Sequence, residues 1–245
     1  REIEVEAHPD KQVSATDEDA RSMMKPGGGS VVGYNVQTAV DEKHHLIVSH
    51  EVTNATTDRQ QLGKVAKQAK KVLQTKTLKV VADAGYYEGS AIVECYDADI
   101  TALVPKTDTT NRKAKGQYTK SDFNYDAERN EYVCPAGERL TYRFDSVEKG
   151  KRLWVYERSG CSSCALQAHC TTATAKRLKR WEKEDVLDKA AAELKQERGA
   201  MRQRKALVEH PFGTLKQAMG STHFLMRRLP SLKAVMSLHI QADTM

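Results

Sequence analysis

Three features of this 245-residue sequence predict an α/β protein interrupted by a second, smaller part. Val31–Val40 alternates, with Val32, Tyr34, Val36, Thr38 and Val40 on one side, and His45–Thr53 follows after a short polar turn. A period of two is that of a strand, and two such runs joined by a turn read as a hairpin. Second, the apolar run Leu78–Ala82 ends abruptly in Asp83, Gly85 and two tyrosines, with helical patterns on either side. Third, residues 106–180 lose this patterning and contain four of the five cysteines.

In chain order, residues 1–13 are polar with little pattern, and Gln12–Asp17 reads as a short strand with Val13 and Ala15 on one face. Lys25–Ser30 (KPGGGS) is a flexible break. The hairpin turns at Asp41–His44, and Asn54–Asp58 is a loop in which Asp58 is placed to cap the next helix. Leu62, Val65, Ala66, Ala69, Val72 and Leu73 give that helix its apolar stripe. Then come the Asp83 strand, a helix over Glu88–Tyr96 and a short strand over Ile100–Pro105. The order β-β-β-α-β-α-β is that of an RNase H-like core. Residues 106–180 are rich in Lys, Thr, Asn and Asp, with β-like pieces at Glu131–Val133 and Leu153–Tyr156, and read as an insertion too polar to build much core. Helix resumes over Trp181–Arg198, with Leu187, Ala190, Ala191 and Leu194 apolar. A further helix carries Lys205, Glu209 and Lys216 on one face, and Pro211 either kinks it or starts a new one. Leu229, Leu232, Val235, Met236 and Ile240 space a last helix. Three parts follow: residues 1–105 as the first part of the core, 106–180 as the Cys-rich insertion, and 181–245 as the helices that complete the core.

Net charge is +6, and residues 176–228 alone carry 14 Lys/Arg against 7 Asp/Glu. The basic surplus is therefore local, and nucleic acid is the first polyanion to consider. A solvated helical face is the plain alternative. No apolar run approaches a membrane span and no signal peptide is visible, which predicts a cytoplasmic protein without membrane partners.

An ionised carboxylate is costly to bury unless it is paired or holds a metal. At the C-terminal end of a central strand Asp83 points to the crevice where α/β sheets do their chemistry; capping the next helix is the other role open to it. Phosphoryl transfer by two divalent cations needs carboxylates from different elements, holding metals about 3.5–4 Å apart. Hard oxygen ligands suit Mg²⁺ or Mn²⁺. An RNase H-like core supplies one such residue on its first strand, one at the end of the fourth and one on a late helix. Asp17, Asp83 and Glu209 match that order, with Asp19 a competitor of Asp17, and Asp41 read as a turn residue.

Four stretches carry a resemblance: Thr16–Arg21 (TDEDAR), Gly33–Asp41 (GYNVQTAVD), Val80–Tyr87 (VVADAGYY) and Lys205–Lys216 (KALVEHPFGTLK). Together they resemble the bacterial insertion-sequence transposases with a DDE catalytic core, in the subgroup with a Cys-rich insertion between the second Asp and the Glu. The resemblance runs from about residue 12 to about 240. It implies metal-dependent cleavage and transfer of DNA strands, with DNA (element ends and target) as partner and a homo-oligomer assembled on it near the nucleoid. It also implies that Arg204 or Lys205, and Lys216, hold the DNA backbone. Met201 stands where relatives carry a tyrosine. The chain starts at Arg1 and stops at Gln241–Met245, where relatives run on. That leaves two other readings: a truncated, non-catalytic DNA-binding remnant, and a nuclease on the same core.

Cys134, Cys161, Cys164 and Cys170 cluster, and Cys134–Gly137 is similar to half of a zinc knuckle. One C-x2-C pair with two further cysteines suits a closed structural Zn²⁺ site whose metal supplies folding energy, and His169 is an alternative to Cys170. Cys95 reads as an ordinary buried cysteine.

Overall fold

In the computed structural model, which describes residues 14–24, 27–107, 111–215 and 224–243, the chain divides into two units. One comprises residues 1–106 with 189–245, the other residues 107–188. The protein is mixed α/β.

The first unit is built from strand pairs. β1 (Arg21–Met24) pairs antiparallel with β2 (Ser30–Gly33). β3 (Asn35–Val40) pairs antiparallel with β4 (Ile47–Thr53), Asn35 opposite Thr53 and Gln37 opposite Glu51. The alternating run of the sequence is thus two strands broken at Tyr34. The short strand expected at Gln12–Asp17 is not formed over its described part, residues 14–17; residues 12 and 13 lie outside the described residues. There the Asp17 N–H donates to Ser14 Oγ (3.3 Å). Local side-chain acceptors of this kind compete with a strand ladder, and the first strand begins four residues later.

Helix α1 (Leu62–Val72) buries Leu62, Val65, Ala66 and Ala69, one face at helical spacing. Val72 and Leu73, expected on that face, are exposed at the end of the helix, beside Gln74 with φ +50°. Asp58 does not cap α1: Gln61 stands at the cap position, with no side-chain bond. β5 (Leu78–Val81) and β6 (Ile100–Leu103) pair in parallel, joined through α2 (Gly89–Tyr96). Ile92, Cys95, Ile100, Ala102 and Leu103 are fully buried here. Burial pushes the Cys95 thiol up to about 11. Among the described residues these are three separate strand pairs, with no hydrogen-bonded link between β3 and β5.

Along the chain then come α4 (Glu184–Gln196), whose first residues still belong to the second unit, α5 (Ala200–Gly213) and α6 (Leu229–Asp243); α3 is given below. Pro211 neither ends α5 nor starts a new helix, since the helix runs through it and the ring is fully buried. Leu232, Met236 and Ile240, four residues apart, pack with Leu215 on Ile47 and Val52 of the hairpin. Each fully buried side chain of this size contributes about 1.5–3 kcal/mol. Glu51 on β4 ties this packing down by ion pairs with Lys233 of α6 (2.6 Å) and Lys64 of α1 (3.0 Å).

The second unit is a five-stranded antiparallel meander in the order β11-β10-β9-β8-β7. Its strands are β7 (Asn124–Asp126), β8 (Glu131–Val133), β9 (Arg139–Glu148), β10 (Lys151–Ser159) and β11 (Ala175–Trp181), with the single-turn helix α3 (Gln167–Cys170) before β11. Contrary to expectation, it has a core: Phe123, Tyr132, Leu140, Tyr156 and Leu178 are buried together. The Tyr132 and Tyr156 rings meet edge-on with centroids 5.1 Å apart. Tyrosine lets a polar-looking sequence do this, because the ring packs while the hydroxyl finds a partner. The Tyr156 hydroxyl donates to Asn130 Oδ1 (2.5 Å). No helix of the described residues is long and apolar enough to cross a membrane.

Candidate active site

Asp83 sits just beyond the last hydrogen-bonded residues of β5, where the Ala82 N–H still donates to the Leu103 carbonyl (3.1 Å). The apolar Val80-Val81-Ala82 run delivers it there. A 3₁₀ turn, Ala84–Tyr86, follows, and the Gly85 N–H donates to Asp83 Oδ1 (3.0 Å). Asp83 does cap this turn, with one oxygen. The other accepts from the Arg204 guanidinium of α5 (2.7 Å). Asp83 thus caps the 3₁₀ turn and not the helix that follows, whose cap position is Glu88, and its second oxygen is ion-paired.

Behind the turn lies a polar network that sequence reasoning missed. Asn35 Nδ2 and Gln37 Nε2 both donate to Asp58 Oδ1 (2.6 and 2.7 Å). Gln37 Nε2 also donates to Asn35 Oδ1 (2.7 Å). The Tyr86 hydroxyl donates to Gln37 Oε1. Gln37 is only 2% exposed, although it sits in a strand whose valines mark the opposite face. Burial, then the negative charges of Asp58 and Asp83, raise the Tyr86 pKa well above its ordinary value, so Tyr86 stays a donor. Gly85 separates the two carboxylates: a Cβ there would lie 3.0 Å from Asp83 Oδ1 and 3.7 Å from Asp58 Oδ2. The available signal was Asn35 and Gln37, two amides on the same side of a strand, two residues apart.

Asp17 is engaged elsewhere in the first unit. Its Oδ2 accepts from the Tyr34 hydroxyl (2.8 Å) and from the Arg228 N–H (3.1 Å) at the start of α6. Asp19 Oδ2 accepts the next N–H, that of Leu229 (3.0 Å). Burial works against the Asp17 charge, yet the bonds from Tyr34 and Arg228 outweigh it and hold its carboxyl below the usual range. The helix N-terminus favours both charges. Glu209 on α5 faces Lys205 one turn back at 3.9 Å, and both are largely exposed. Lys216 lies outside the described residues. Asp41, in the hairpin turn, accepts from the His44 N–H (2.8 Å).

In the second unit Cys134, Cys161, Cys164 and Cys170 line one small cavity, and all are free thiols. Burial raises the Cys170 thiol pKa; nearby Lys176 opposes this, and the other three thiols add to it. Lys176 Nζ donates to the Cys170 carbonyl (3.1 Å). Among the described residues no group of three or more His, Cys, Asp or Glu stands in a position to hold a metal ion.

A cleft in the first unit is lined by Thr38–Glu42, by Leu78–Ala82 and by Arg204, Leu207 and Val208 of α5. It leaves Val80 and Val81 half-buried, which is unusual for the apolar centre of an α/β sheet.

No curated protein and no solved structure gives a significant match to the chain. A family model described as a transposase DDE domain matches residues 3–242, nearly the whole length, and the chain belongs to the DDE transposases of insertion sequences.

Proposed function

We propose that this chain is the catalytic part of its transposase, cutting DNA at the ends of an insertion sequence and joining the freed ends to target DNA. The observation that carries this reading is Asp83, a half-buried carboxylate at the end of β5 facing a basic residue of a late helix, in a chain whose family acts on phosphodiesters. The family uses divalent cations such as Mg²⁺. Asp83 fits that use by the chemistry of its donors, which are hard oxygens; in the structure they accept from the Gly85 N–H and from Arg204. When bound, such an ion stabilises charge on a phosphoryl oxygen and acidifies water. The residues of the chain do the rest. Asp83 holds the ion, with Glu209 and Asp17 as the other carboxylates of the reading. Asp17 enters it by motif order, and its own contacts are those of a clasp on α6. Arg204, Lys205 and Lys216 hold the DNA backbone by charge. Water attacks the phosphorus, a P–O bond forms as the bond to the 3′ oxygen breaks, and the 3′-OH then displaces a 3′ oxygen in target DNA. No covalent enzyme intermediate is involved.

The core of this reading is RNase H-like. In support, β3 and β5 each pair on one edge only among the described residues, and both strands line the same cleft, as expected of parts of one mixed sheet. The reading also takes two copies to join two DNA ends in the bacterial cytoplasm. Residues 107–188 form the Cys-rich insertion, with Zn²⁺ as its structural ion. The lining of one cavity by the four cysteines is what suggests zinc; as they stand among the described residues they do not form a metal-holding group. The deciding test is Asp83→Asn in a strand-cleavage assay on element-end DNA with Mg²⁺. Loss of cleavage with DNA binding retained is expected; cleavage at the wild-type rate would sink the assignment. Strand joining, as against cutting alone, separates a transposase from a nuclease.

A further inference from the structure

We propose that Gln37 and Tyr86 are positioning residues for Asp83, on the reading that Asp83 is a catalytic carboxylate of this transposase. Among the described residues no backbone ladder joins β3 to β5, so side-chain contacts place the strand that carries Asp83 against the β3–β4 hairpin. The bond from the Tyr86 hydroxyl to Gln37 Oε1 is a direct link of this kind. Tyr86 belongs to the 3₁₀ turn that Asp83 caps, and its own N–H donates to the Asp83 carbonyl (3.1 Å). Where its ring is held, the turn and the carboxylate at its start are held as well.

Gln37 has one orientation open to it. Its NH₂ donates to Asp58 Oδ1 (2.7 Å) and to Asn35 Oδ1 (2.7 Å), both acceptors, so its carbonyl oxygen is the end that faces Tyr86. Asp58 Oδ1 is fixed in turn by Asn35 Nδ2 (2.6 Å). Gln37 is 2% exposed, and a buried amide whose NH₂ and oxygen are all paired rigidifies its surroundings. Neither Gln37 nor Tyr86 bonds to the Asp83 carboxylate, whose oxygens accept from the Gly85 N–H and from Arg204, so their effect runs through the turn. Asn35 and Gln37 lie in GYNVQTAVD, a stretch that supplies none of the three carboxylates of the reading. Holding the Asp83 turn gives these two amides a task in the reaction, because a catalytic group displaced by about 1 Å can cost about a hundredfold in rate.

The experiment measures single-turnover cleavage of element-end DNA in Mg²⁺, DNA affinity, and amide hydrogen exchange, on the whole chain, for wild type, Gln37→Met, Tyr86→Phe and Ser49→Ala. Ser49→Ala is the control: Ser49 is buried on β4, donates to the Val65 carbonyl (3.2 Å) and has no bond to the Asp83 turn. Expected in Gln37→Met and Tyr86→Phe is a cleavage rate per folded molecule at least about tenfold lower, with DNA affinity within about twofold of wild type. Exchange of the Tyr86 and Tyr87 N–H groups, which close the turn, is expected to speed up in both. Ser49→Ala loses a buried hydrogen bond and keeps the wild-type rate per folded molecule. Tyr86→Phe, which removes a single oxygen, decides alone if Gln37→Met fails to fold. Wild-type rates in the folded variants overturn the positioning role, as do a loss confined to DNA affinity, unchanged exchange in the turn, or an equal loss of rate in Ser49→Ala. Loss of cleavage in Asp83→Asn then leaves the reading of Asp83 standing. No cleavage by wild type, or wild-type cleavage by Asp83→Asn, overturns both.

Discussion

Replacing Asp17 by alanine, in the presence of EDTA, is expected to destabilise the first unit. The sign of that change carries the information. A carboxylate waiting among other carboxylates for a cation is repelled by them, and removing it leaves stability unchanged or raises it. A clasp does the opposite. Asp17 accepts from Tyr34 (2.8 Å) and from the Arg228 N–H (3.1 Å), joining the start of the described chain to α6. A hydrogen bond to a charged group contributes about 1.5–3 kcal/mol, and a side chain that satisfies a helix N-terminus about 0.5–2 kcal/mol. Because Asp17 is only half-buried, solvent screening reduces both, leaving about 1–2 kcal/mol together. Urea unfolding measures this. A cycle with Tyr34→Phe isolates the hydroxyl bond, with an expected coupling of about 0.5–1.5 kcal/mol. The pH dependence has a definite sign. The folded Asp17 carboxyl lies below its ordinary value, so its contribution is complete above the unfolded pKa of about 3.9 and is lost as pH falls through the folded one. The gap between wild type and variant closes in acid. An alanine variant as stable as wild type at neutral pH, or a coupling under about 0.3 kcal/mol, would refute the clasp.

Two further outcomes are expected. Arg204→Gln removes a partly exposed pair with Asp83, so stability changes by less than about 1 kcal/mol; DNA affinity falls, and its logarithmic dependence on salt becomes shallower by about one unit. An unchanged salt slope would separate Arg204 from the DNA. The chain purified without chelator is expected to carry one Zn²⁺ by elemental analysis, lost in Cys161→Ser/Cys164→Ser; a zinc-free, folded preparation speaks against the site. Because the second unit has its own aromatic core, stripping the metal should lower its melting temperature and not unfold it outright, unlike a small zinc finger.

Much of the first unit was legible from periodicity. The hairpin, α1, α2 and the β5–β6 pair follow from alternation, helical spacing and the Gly85 turn, because each buries one face and the pattern records it. Where several residues compete for the same backbone or partner, the pattern misled. Ser14 took the N–H that a strand at residues 14–17 needed. Asp58 looked like a helix cap and went to Asn35 and Gln37 instead. The second unit looked too polar to build much core because two of its five central buried residues, Tyr132 and Tyr156, are tyrosines, whose hydroxyls read as polar.

What the sequence determined by itself is the hairpin, the α-β-α-β run that follows it in the first unit, the presence of Asp83 at a strand end, and the motif set that the family match covers. These are local properties, set by the period of two or 3.6 and by turn residues, or linear ones that a family shares. The tertiary structure alone decided which partner each carboxylate has: Arg204 for Asp83, the α6 N-terminus for Asp17, and the amides of β3 for Asp58. Charged and amide side chains have several partners open to them along the chain, and only packing brings one of them within hydrogen-bonding distance.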